Sequence, residues 1–154
     1  ILGEILGYGF SSNGEHISRP NIEGPSKSLE NVLKQANLSP RDIQYINAHA
    51  TSTPVGDVNE ALAIKNIFGT TPYLASTKSM TGHEMWMAGA SEIAYSIIMM
   101  QNGFIAPNIN LINPDDEVKD LNFAYETVQT EFDTFLSNSF GFGGTNSSII
   151  VRKF

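Results

Sequence analysis

Apolar and polar positions along the chain fall into segments of two periods, one of strands and one of helices. Residues 1–10 (ILGEILGYGF) form a mostly apolar run of strand length, closed by the turn residues Ser11-Ser12-Asn13-Gly14. A polar, proline-containing loop follows over 16–24. Residues 25–37 then place Leu29, Val32, Leu33 and Ala36 at helical spacing, which predicts a helix whose apolar stripe covers a sheet. Asn37-Leu38-Ser39-Pro40 ends it and leads into an apolar strand over 43–48.

From there the chain twice repeats one arrangement. The strand at 43–48 delivers a polar tip, His49-Ala50-Thr51-Ser52-Thr53, ahead of Pro54. Proline suits a helix start, where its missing N–H is no loss. The helix predicted over 55–68 carries Val58, Ala61, Leu62, Ile64 and Phe68. A second short strand over 73–77 precedes the tip Lys78-Ser79-Met80-Thr81-Gly82-His83, and a helix is predicted over 84–101. That helix is apolar nearly all round from 93 to 100, the pattern of a helix buried on several sides. Beyond it come an extended segment (103–110), a turn (113–116) and a strand (121–126). Two strands, 132–138 and 147–152, flank a third polar tip as an antiparallel hairpin. Helix, strand, helix, strand, helix and then strands is an α/β order. Strand ends that turn into helices are where open α/β sheets place their chemistry.

A chain of 154 residues with 41% hydrophobic content supports one domain, 1–154, with a sizeable core. The net charge of −7 argues against nucleic acid or an anionic membrane as partner. No run approaches the ~20 apolar residues of a membrane span, and the opening Ile1-Leu2-Gly3-Glu4 is no signal peptide. It reads as the middle of a protein. The absence of cysteine fits a reducing, cytoplasmic setting.

Three motifs, NAHATSTPVGD (47–57), STKSMTGH (76–83) and NSFGFGGTN (138–146), resemble the carboxyl-terminal half of β-ketoacyl-acyl carrier protein synthases. The likeness is to the elongating type, nearest isozyme I, and Gly103-Phe104-Ile105-Ala106-Pro107-Asn108 adds to it. The resemblance implies one half of a thiolase-like fold, a five-stranded mixed sheet with helices on both faces. Residues 1–20 would be a strand and loop carried over from the junction with the missing amino-terminal half, the strand an orphan edge. It also implies an acyltransferase that condenses malonyl-acyl carrier protein with an enzyme-bound acyl group. The family's nucleophilic cysteine lies in the other half, so this fragment would be inactive alone. The partners implied are an acyl carrier protein, the missing half and a second copy of the full enzyme. No cofactor or metal is implied. A polyketide or aryl-polyene ketosynthase half, and a non-catalytic partner like the chain-length factors, are the alternatives.

Site residues follow from the same resemblance. His49 and His83 would hold the thioester oxygen of the malonyl unit while it loses carbon dioxide, each neutral and donating an N–H. Lys78 and Glu92 would form a pair that orders the site and biases His83 toward neutrality. A carboxylate on an apolar helix needs such a partner in any case. Thr51 and Thr53 would contact the carrier's phosphopantetheine arm, Thr53 serving also as an N-cap. Phe142, between Gly141 and Gly143, would gate the acyl pocket.

Other readings rest on the residues themselves. Asp57 with Glu60 fits a capping box. GFGGTN lacks the lysine and the following helix of a phosphate loop. His16 lies in a loop with no partner in the sequence. Two places depart from the family pattern. Ala50 stands where glycine is usual, and Glu84-Met85-Trp86-Met87 stands where the family commonly has small residues, Trp86 either filling a gap to a neighbouring body or reshaping the acyl pocket.

Overall fold

The computed structural model describes residues 1–154. In chain order it holds β1 (Glu4–Ser12), α1 (Glu23–Ala36), β2 (Tyr45–Asn47), α2 (Pro54–Phe68), β3 (Tyr73–Ala75) and the single-turn α3 (Lys78–Thr81). Then come α4 (Ala88–Asn102), β4 (Phe104–Ile105), β5 (Val128–Gln129), β6 (Thr134–Gly141) and β7 (Thr145–Arg152). Five strands form one mixed sheet in the order β1-β7-β6-β2-β3, while β4 and β5 pair separately. The β1–β7 and β7–β6 pairs are antiparallel; β6–β2 and β2–β3 are parallel.

The period of two on each strand divides the core between the sheet's faces. Ile46, Leu74, Leu136 and Ile150 point to one side, against Leu29, Val32 and Leu33 of α1 and Ala61, Ile64 and Phe68 of α2. Their neighbours Tyr45, Ala75, Phe135 and Val151 point to the other, against Met99 and Met100 of α4. Helices therefore cover both faces. That is why all three residues of β2, a strand inside the sheet, are buried instead of alternating.

Four expectations change. The strand over 1–10 is no orphan edge: β1 pairs with β7 from Glu4–Arg152 to Ser12–Thr145 and forms the rim of the main sheet. Gly7 and Gly9 account for this, because a Cβ at Gly9 would lie 2.6 Å from the Val32 nitrogen. Without those side chains α1 settles directly on β1. The strand over 121–126 is reduced to one parallel bridge, Leu74 to Phe123, because β3 offers a partner for so short a stretch only. The helix over 84–101 begins at Ala88. Before it Met85–Met87 forms a 3₁₀ turn, with Met85 at φ 56°. Nor is α4 buried on several sides, since Ile98 is 54% exposed. Composition reports that a helix face is apolar, and only packing decides what covers it. No helix is long and apolar enough to cross a membrane.

Candidate active site

The carboxyl end of β2 carries the first histidine, and its turn is held from below by a buried carboxylate. Glu60, on the inner face of α2, accepts the His49 N–H on one oxygen and the Ala50 N–H on the other, both at 2.8 Å. Asn138 Nδ2 donates to the same carboxylate at 2.9 Å. Burial pushes the Glu60 pKa up, against the pull of these donors. Behind Asn138 the polar chain continues: Ser148 donates to Asn138 Oδ1 at 2.8 Å, and Ser28 donates to Ser148 at 3.0 Å. All four side chains are buried. A buried network satisfied in this way rigidifies what it touches, and here it fixes the backbone on which His49 sits.

The turn itself is tight. Ala50 has φ 21° and Ser52 has φ 65°. Glycine takes positive φ freely, and a residue with a Cβ does so at some strain. Thr53 occupies the N-cap position of α2, but its side chain makes no capping bond. Asp57 reaches back instead, accepting the Ser52 and Thr53 N–H groups at 3.2 Å each. The capping-box reading of Asp57 with Glu60 is thus corrected, because the two acids serve different backbones.

His83 follows Gly82 (φ 74°), after α3. Its Nδ1 accepts the Met85 N–H at 3.0 Å, so in the neutral ring the proton sits on Nε2. The two imidazoles stand edge to face, ring centres 5.6 Å apart, and Phe140 lies 5.9 Å from His49 on another side. Burial above all, then the charge of Lys78 and the neighbouring His83, depress the His49 pKa to about 3. His49 is therefore neutral at physiological pH.

Lys78, the first residue of α3, and Glu92 on α4 form an ion pair with side chains only 5% and 2% exposed. Burial pushes the Glu92 pKa up while Lys78 opposes the shift. The charge of Lys78 also reaches His49, where it is the second cause of the lowered pKa after burial. Asn47 ties the pair's elements to β2. It accepts the Thr77 N–H and donates to the Glu92 carbonyl, both at 3.4 Å.

The third tip is a hairpin turn between β6 and β7. Gly143 (φ 78°) and Gly144 (φ 76°) supply the left-handed angles that residues with side chains resist. The tip docks on the 13–17 loop, where Gly143 N donates to the Ile17 carbonyl at 2.7 Å and Asn13 N to that of Gly144 at 3.0 Å. Phe142 projects from it, 82% exposed.

Cavities open on both sides of His49. One of about 110 Å³ is lined by His16, Arg19, Thr51, Thr53, His49 and Phe142, among others. The other, about 330 Å³, lies against both histidines, Met85, Trp86, Gly89 and Phe140. Trp86 is 98% exposed at its rim. The fold thus brings His49, His83, Lys78, Glu92, Thr51, Thr53 and the Phe142 loop into one region. Glu60, Asn138 and Asn47 had escaped the sequence reading. Glu60 left a signal there: it lies four positions before Ile64, on the apolar stripe of its own helix.

A five-stranded mixed sheet with one histidine at the end of β2 and a second after α3, beside a buried lysine–glutamate pair, defines the chain as a half of the thiolase-like ketosynthases. More narrowly, the chain belongs to the β-ketoacyl synthase family, whose C-terminal domain model matches residues 2–112. It is 44% identical over 154 residues to 3-oxoacyl-(acyl-carrier-protein) synthase 1 of Escherichia coli (strain K12), covering 99% of this chain and 37% of that protein. A β-ketoacyl synthase from Burkholderia phymatum STM815 superposes with a TM-score of 0.96 at 35% identity, over all of this chain and 38% of the other. A type II PKS ketosynthase, bound to the hexaketide and in complex with its acyl-carrier protein, superposes at 0.93 with 32% identity, over 100% and 39%. The chain spans well under half the length of each.

Proposed function

We propose that this chain supplies the two-histidine half of the active site of a β-ketoacyl-acyl carrier protein synthase of fatty acid elongation. The observation that carries the reading is the histidine pair: two rings 5.6 Å apart beside one cavity, His83 with its Nδ1 already occupied as an acceptor and His49 held neutral.

In this reading the thioester oxygen of malonyl-acyl carrier protein lies between the two ring N–H donors. The bond from the malonyl α-carbon to its carboxylate breaks, carbon dioxide leaves, and the electron pair forms an enolate whose negative oxygen the histidines stabilise. Donors fixed beforehand favour that charge without reorganising, and removing one is worth roughly 2.7–4 kcal/mol. The enolate carbon then attacks the acyl thioester on a cysteine, expelling the thiolate and leaving the β-ketoacyl product. This chain has no cysteine, so the nucleophile belongs to the remainder of the synthase and the chain by itself condenses nothing.

Lys78 acts by position. Its charge disfavours protonation of His49, and Glu92 neutralises it so that it can remain buried. Thr51 and Thr53 line the entrance for the carrier's pantetheine arm, and Phe142, between Gly141 and Gly143, gates the acyl pocket. The working enzyme is a homodimer in the cytoplasm and needs no cofactor or metal. The 44% identity to 3-oxoacyl-(acyl-carrier-protein) synthase 1 of Escherichia coli supports the elongating reading.

The test is His49→Ala and His83→Ala in the complete synthase, with cysteine acylation followed by mass spectrometry and decarboxylation by carbon dioxide release. Each variant is expected to acylate normally and to lose roughly 10²–10³-fold in decarboxylation. Decarboxylation at the parental rate in both would end the assignment.

A further inference from the structure

Between Gly82 and α4 the chain puts its only tryptophan where nothing in the fold covers it. Trp86 is 98% exposed, and Met85 and Met87 beside it are 64% and 61% exposed. The run is nevertheless held in place. Met85 N–H donates to His83 Nδ1 at 3.0 Å, Met87 N–H to the Glu84 carbonyl at 3.2 Å, and the Tyr95 hydroxyl of α4 to the Glu84 carboxylate at 2.8 Å. Met85 takes a left-handed φ of 56°, which a residue with a side chain keeps only where its surroundings enforce it.

The indole is thereby fixed three positions beyond the second histidine, at the rim of the cavity that both histidines line. On the other sides this cavity is hemmed in. Gly89 lets α4 lie so near β6 that a Cβ there would meet Ser139 Oγ at 2.9 Å, and Phe140 stands 5.9 Å from His49. At about 330 Å³ the space is at the small end of ligand cavities, which span roughly 300–1,000 Å³. The carrier's arm, in the proposed condensation, reaches His49 from the opposite cavity, lined by Thr51 and Thr53. The acyl chain that the enolate attacks beside the same histidines then extends the other way, toward Met85 and Trp86.

We propose that Trp86 is the specificity-determining residue that caps the acyl site, restricting this synthase to short acyl primers. It rests on the proposed condensation and adds a substrate class to it. A tryptophan that only filled a gap to the remainder of the synthase would act on stability, and on every primer alike. A wall across the path of the chain acts on chain length.

The experiment compares the complete synthase with Trp86→Ala and Trp86→Phe. Condensation with malonyl-acyl carrier protein is measured for butyryl, octanoyl and dodecanoyl primers on acyl carrier protein, and the melting temperature of each protein is recorded. One methylene more or less in an apolar pocket changes kcat/KM by roughly tenfold or more. The parent should therefore favour butyryl over dodecanoyl by at least roughly tenfold. Trp86→Ala should raise the dodecanoyl-to-butyryl ratio of kcat/KM by a similar factor, and Trp86→Phe by less. The phenylalanine variant, which keeps an aromatic ring, decides the question should Trp86→Ala fold poorly. A ratio unchanged in the variants, a fall shared equally by all three primers, or a parent that already prefers dodecanoyl overturns the proposal. Each of those results leaves the two-histidine reading standing, since condensation is still observed. A parent that condenses none of the three primers removes that reading, and this inference with it.

Discussion

Lys78 and Glu92 bury opposite charges where almost no water reaches, their side chains 5% and 2% exposed. The perturbation is to remove them singly as Lys78→Met and Glu92→Leu, and then together. Taking away one member of a buried pair strands the other charge, which typically costs about 3–5 kcal/mol. For a chain of this length each kcal/mol moves the melting temperature by about 2–4 °C, so either single change should lower it by about 6–20 °C. Glu92 already carries a raised pKa from burial, with one oxygen that has no hydrogen-bond partner. Stranded without Lys78, it can escape the penalty by taking a proton. The deficit of Lys78→Met should therefore shrink as the pH is lowered. The double variant replaces both charges by apolar side chains of similar bulk and should recover much of the loss, which requires a coupling energy larger than either single loss, above about 3–5 kcal/mol. The bond from the Asn47 side-chain amide to the Glu92 carbonyl remains in every variant, so α4 keeps its anchorage to β2. Thermal unfolding of the four proteins at several pH values reads the cycle. Losses that add to within about 0.5 kcal/mol would show that the two side chains do not interact, and the account of the pair would fail. In the complete synthase the double variant should regain stability without regaining decarboxylation.

Two further outcomes follow from the same site. Glu60→Gln can accept only one of the two backbone N–H groups at 2.8 Å and sets an NH₂ against the other, so it should lose about 2–3 kcal/mol in denaturant unfolding; a change below about 0.5 kcal/mol would refute the clamp. His49, with its pKa lowered from 6.5 to about 3, stays unprotonated when folded while the unfolded chain takes up a proton. Its contribution is thus complete above pH 6.5 and is lost as the pH falls toward 3, by at most ~1.4 kcal/mol per pH unit. Burial raises the pKa of both Glu60 and Glu92, which gives the opposite slope, so the quantity to compare is the stability of the parent minus that of His49→Asn across pH 4–8. A difference that does not vary with pH would contradict the assignment.

Much of this molecule is local and therefore legible in the sequence. The helix over 25–37 and the hairpin at 132–152 depend on periodicity and on turn residues, whose preferences act over a few positions. The polar tips at 49–53, 78–83 and 138–146 could be recognised as motifs, and the two histidines and the lysine–glutamate pair with them. What the sequence could not decide was decided by packing between distant segments. Whether residues 1–10 pair or dangle depends on β7, more than 130 positions away by register, and on α1 lying against Gly7 and Gly9. The stretch 121–126 has the composition of a strand, but a strand also needs a partner edge, and β3 gives it one bridge. Glu60 fits a capping pattern equally well, because spacing records which residues are near along a helix and not which backbone they face. Only the fold turns it inward under His49 and adds Asn138 from 78 positions away. The charge of Lys78 likewise acts through space and reaches His49, 29 positions away along the chain. Sequence fixes local preference and chemistry; the partners of a buried polar group are set by tertiary contact, since desolvation makes it bond to whatever donor the fold brings within reach.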